Sequence, residues 1–120
     1  MLPGISGLRH DRYYERRLGK GRAMTRQEAL RRLRASEPDF KKTGVKHLYL
    51  FGSTARGEAA QDSDVDLFFD HDLGSIGLYE LMDIKDLAAG VLGTETDMIP
   101  RRGLHPLLKE RIEASAVQVF

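Results

Sequence analysis

Three short runs, residues 45–51, 65–69 and 94–99, most restrict what this chain can fold into. The first is rich in β-branched, aromatic and leucine residues, a pattern that fits a buried strand better than a helix face. The stretches around them carry helix signals. Thr25-Arg26-Gln27-Glu28 has the spacing of a capping box, in which the Thr hydroxyl and the Glu carboxylate satisfy free amides of the first turn. Ala29, Leu30, Leu33 and Phe40 then supply an apolar side, with Pro38 expected to stop the helix. A second helix is expected over residues 78–91, with Leu78, Leu81, Met82 and Leu87 inward and Gly93 closing it. A third runs from Pro106, a residue favoured in a first turn, to about residue 116, with Leu107, Leu108 and Ile112 inward. Residues 117–120 are short enough for an edge strand. Strands alternating with helices predict an α/β class, a small mixed sheet flanked by helices.

With 120 residues, one domain with one core is expected. The absence of cysteine excludes disulfides, zinc–thiolate sites and thiol nucleophiles. The longest apolar run, Leu48 to Phe51, is four residues, so no membrane span is expected and the cytoplasm is the default location. The net charge of +1 hides a segregation of sign. Residues 1–34 hold ten Lys and Arg against three acids, whereas residues 35–120 hold nine against fifteen. Residues 1–23 have four glycines, Pro3 and no sustained apolar stripe, and read as a flexible basic arm. The folded domain is then 24–120, with Met24 an alternative start. Tyr13 and Tyr14 among the arginines of the arm would suit stacking on nucleic acid, but the arm is short and this reading ranks low.

The chemistry concentrates between Gly52 and Asp70. Gly52-Ser53 follows a strand directly, where glycine permits a tight turn and Ser can donate to a phosphate oxygen. An ordinary strand-to-helix turn would use the same two residues. Asp64-Val65-Asp66 enters the next strand, and a period of two puts both carboxylates on one face. Two acids so close repel unless a cation lies between them, and hard oxygen ligands of this kind suit Mg²⁺ completed by substrate phosphates. Asp97, alternating with Glu95 on the third strand, would join them if that strand is the neighbour. Arg56 either steadies a phosphate or pairs with Glu58 or Asp62. Asp62, Asp70 and Asp72 read as loop or strand-end acids, and the four histidines show no metal-ligand spacing.

Gly52-Ser53-Thr54-Ala55-Arg56-Gly57 with Ser63-Asp64-Val65-Asp66-Leu67 resembles the signature of the polymerase-β-like nucleotidyltransferases, and the short chain resembles their minimal (MNT) branch. The resemblance spans about residues 25–120 and shows no departure within the signature. It implies the nucleotidyltransferase fold, with Gly52 and Ser53 on the nucleotide. Asp64 and Asp66 would bind two Mg²⁺, and Asp97 would serve as the further carboxylate. It implies ATP as substrate and AMP passing to an acceptor hydroxyl with loss of pyrophosphate. It also implies a HEPN-domain ribonuclease toxin as partner, neutralised by AMP on a tyrosine. In a chain this short, either a partner protein is expected to bring the acceptor or an oligomer to build its pocket. The alternatives are a non-catalytic antitoxin that masks the toxin by binding and, lower, transfer to a small molecule such as an aminoglycoside.

Overall fold

The structure, a computed structural model, describes residues 24–59, 64–72, 74 and 76–120. The basic stretch 1–23, with Tyr13 and Tyr14, lies outside the described residues, as do Asp62 and Ser63. Among the described residues no helix is long and apolar enough to cross a membrane.

The first helix, α1, is Arg26–Ala35, and the Thr25 hydroxyl accepts from the Glu28 N–H at 3.1 Å. The Glu28 carboxylate bonds to Arg31 and Arg32, both at 2.6 Å, and these two partners hold its pKa down at about 2. Pro38 does not stop this helix. The chain breaks at Ser36, and Pro38 stands in the first turn of α2, Glu37–Lys42, where its missing N–H costs nothing. Phe40 of α2 is fully buried.

The remaining elements are β1 (His47–Phe51), α3 (Gly52–Arg56), β2 (Val65–Asp70), α4 (Leu78–Leu92), β3 (Thr96–Pro100), a 3₁₀ turn (Arg101–Gly103), α5 (Lys109–Ser115) and β4 (Val117–Gln118). The sheet order is β3-β2-β1-β4. β1 is antiparallel to β2 and β4, while β2 and β3 are parallel, joined by a crossover through α4. This is the expected small mixed sheet. Leu48, Leu50, Val65, Leu67, Phe69 and Met98 alternate onto one face and form the core with α1 and α4.

Two helices present other faces than expected. In α4 the fully buried positions are Ile84, Ala88 and Leu92, at i, i+4 and i+8, with Leu81 and Leu87 half-buried. Leu78 and Met82, expected inward, are 70% and 54% exposed. The first turn and a half of α4 holds no buried residue. The last helix begins at Lys109, not Pro106, and is preceded by a turn in which the N–H groups of Leu108 and Lys109 both donate to the His105 carbonyl. Leu107 and Leu108 therefore face outward, and only Ile112 of the expected trio is half-buried.

Candidate active site

The second face of the sheet carries the signature residues in rows set by strand register. Phe51 pairs with Asp66, and Asp66 with Asp97, so one row crosses β1, β2 and β3 as Phe51, Asp66, Asp97. The row behind it is Tyr49, Phe68 and Ile99. Tyr49 and Phe68 stack at 4.7 Å between ring centroids, and Phe51 tilts against Phe68 at 5.7 Å. The condition for Asp97, that its strand neighbour the Asp66 strand, is met.

Gly52 turns the chain out of β1 with φ of +77°, a conformation open to glycine and costly to other residues. Its lack of a side chain serves a second purpose. A Cβ there would lie 2.3 Å from Oδ2 of Asp66. The Asp66 carboxylate thus occupies the space that any side chain at position 52 would need. Ser53 follows in the first turn of α3, half-buried. Arg56, at the end of α3, pairs through Nε with Glu58 at 2.9 Å, and its charge also reaches Asp66. Gly57 closes α3 in the left-handed conformation.

Asp66 is the perturbed acid of the group. Burial raises its pKa to about 6, with further upward pushes from the charge and hydrogen bond of Asp97 and the charge of Asp64. A carboxyl so placed holds its proton to a higher pH than an ordinary aspartate, and a bound cation would relieve the repulsion that raises it. Asp97 and Asp64 are exposed at the mouth of the row. Among the described residues no three acids or histidines converge as a ready cage. The donor set still fits Mg²⁺, which binds through one or two carboxylates and takes its other oxygens from substrate and water.

Residues with no motif complete the scaffold. Arg101 donates to Asp70 at 2.6 and 3.0 Å and to Glu113 at 2.7 Å, and lies 4.8 and 5.0 Å from the Tyr49 and Phe68 ring centroids. Its pKa is raised, first by the Asp70 bonds. Asp70, read as a strand-end acid, is therefore the anchor that ties β2 to the turn after β3. The bases of α1 are also structural. Arg26 donates to the Ala55 carbonyl, Arg32 to that of Leu92 at the end of α4, and Arg34 to those of Gln118 and Val119. No sequence signal distinguishes these arginines from solvated ones.

Paired carboxylates lie beside a tight Gly-Ser turn on a four-stranded mixed sheet, the arrangement the nucleotidyltransferase resemblance implies. Comparison with known proteins agrees. The chain belongs to the nucleotidyltransferase domain family, whose pattern matches residues 28–119. A Methanocaldococcus jannaschii relative named as a candidate protein adenylyltransferase is 40% identical over 83 residues, covering 69% of this chain and 88% of that protein. A solved structure of a candidate minimal nucleotidyltransferase is 35% identical with a TM-score of 0.62, covering 73% of this chain and 93% of the other. The fold is also that of a chain from the solved complex of a tri-AMPylated Shewanella oneidensis HEPN toxin with its MNT antitoxin. That match has a TM-score of 0.55 at 14% identity, over 80% of this chain and 72% of the other.

Proposed function

We propose that this chain transfers AMP from ATP to a hydroxyl, most simply a tyrosine, of a HEPN-domain partner and so acts as its antitoxin. The observation that carries the reading is the row Phe51, Asp66, Asp97 with Gly52 pressed against Asp66. Gly52 and Ser53 would border the triphosphate, the glycine giving room and the hydroxyl a donor. Asp66 and Asp97, with Asp64 beside them, would hold Mg²⁺, which when bound neutralises phosphate charge. Asp97, exposed at the mouth of the row, faces the incoming hydroxyl and helps remove its proton. The acceptor oxygen forms a bond to the α-phosphorus while the bond to pyrophosphate breaks. Arg56, paired with Glu58, can turn to a phosphate by giving up an exposed ion pair worth about 0–1 kcal/mol.

The choice of a protein acceptor is supported by the names of the relatives and by the AMPylated toxin held by a protein of this fold. The test is to incubate the chain with ATP labelled at the α-phosphate, Mg²⁺ and a HEPN-domain protein from the same source. Label on the partner is expected, and its loss with Asp66→Asn or Asp97→Asn. No label, with both variants neutralising the toxin as well as the native chain, would leave a masking antitoxin instead.

A further inference from the structure

The large hydrophobic residues that are exposed among the described residues lie on two segments, the start of α4 and the stretch before α5. β2 and β3 run parallel from Asp66 and Asp97 toward Asp70 and Pro100. Two connections leave that far end, and they lead to the exposed Leu78, Tyr79 and Met82 of α4 and to Leu107 and Leu108 before α5. The larger patch is on α4. Leu78 and Tyr79 are 70% and 80% exposed, and Met82 stands one turn further along the same helix. Single exposed apolar residues are ordinary, but three large ones within five positions are not.

The border of this patch has a sign. Asp83 and Asp86 are exposed on α4 and form no ion pair among the described residues, and Lys85 is the helix's one base. The α1 side of the domain carries the bases instead, with Arg26, Arg32 and Arg34 engaged on carbonyls of the same domain. A second copy offering the same face would bring acid against acid.

We infer that the N-terminal half of α4 is the docking surface for the partner protein, which meets Leu78, Tyr79 and Met82 with apolar side chains and Asp83 and Asp86 with Lys or Arg. The inference rests on the proposed function for the partner's identity. It separates holding from chemistry. The connection to the patch leaves β2 at Asp70, the end of that strand away from Asp66. The partner is gripped at one end of the sheet while its acceptor segment reaches the other.

The test uses the full chain and the HEPN protein. Leu78→Ser/Tyr79→Ser/Met82→Ser and Asp83→Lys/Asp86→Lys are expected to melt like the native chain, since the patch is exposed. Each is expected to weaken partner binding tenfold or more by calorimetry. The KM for the partner should rise to match, while kcat and the KM for ATP stay unchanged. Asp66→Asn should do the reverse, binding the partner normally without labelling it. Native-like partner binding by both patch variants would overturn the docking surface and leave the transferase reading standing. Self-association of the native chain that the serine variant abolishes would overturn it in favour of a dimer face. Failure of the native chain to bind the HEPN protein at all would remove both readings.

Discussion

Replacing Asp66 by Asn should make the metal-free domain more stable at neutral pH, although the residue lies at the centre of the site. Burial, Asp97 and Asp64 together lift the Asp66 carboxyl from 3.8 to about 6. Two units correspond to about 3 kcal/mol at 1.36 kcal/mol per unit. Asp66 is only half-buried, so solvent screening reduces the effect to about 1–2 kcal/mol. The sign follows from linkage. A carboxyl whose folded pKa is raised binds its proton more tightly in the folded state. Its contribution is full below about 3.8, the unfolded value, and is lost as pH rises through about 6. At pH 7.5 in EDTA, Asp66→Asn is therefore expected to gain about 1–2 kcal/mol, or several degrees in melting temperature for a domain of this size. The advantage should vanish near pH 4. Adding Mg²⁺ at pH 7.5 should raise the native melting temperature and leave the variant's unchanged, because only a ligand bound to the folded state stabilises it. Paired melts across pH, with and without Mg²⁺, measure all of this. A variant less stable than the native chain at pH 7.5, with a gap independent of pH, would refute the reasoning.

Gly52→Ala should cost about 1–2 kcal/mol from the left-handed backbone alone, and more because its Cβ would displace Asp66, with loss of transfer activity. Gly57→Ala, equally left-handed but with open space around it, should show only the backbone cost in a denaturant melt and keep activity. Thr54→Val removes a buried hydroxyl that has no hydrogen-bond partner among the described residues, and chemical denaturation should show it neutral or more stable by about 1 kcal/mol. Phe69→Ala opens the packed face of the sheet and should lose about 3–5 kcal/mol, whereas Leu107→Ser at an exposed position should stay within about 0.5 kcal/mol in the same assay.

Residues 65–69 and 45–51 read as strands because alternation and β-branched or aromatic content survive any environment, and the Asp-x-Asp spacing on a strand fixes a shared face before folding is known. Gly52 was legible as a turn, but its contact with Asp66 was not, since that depends on which strand pairs with β1. The direction of α4 faltered for a related reason. Leucine and methionine occur on several sides of that helix, and periodicity alone cannot say where the sheet ends beneath it. Pro38 carries two opposite meanings, helix stop and helix start, and the break at Ser36 decided between them. Arg101 shows the limit of local reading. It gains its role from Asp70 and Glu113, 31 and 12 residues away, and a lone arginine after a proline announces neither partner.

The proposed transfer of AMP to the partner depends on the Asp66–Asp97 pair. Its most direct measurement is the intact mass of the HEPN protein after co-expression with the native chain or with Asp97→Asn. One or more adenylyl masses are expected on the partner with the native chain, and an unmodified partner with the variant. An unmodified partner in both cases, or equal modification in both, would contradict it.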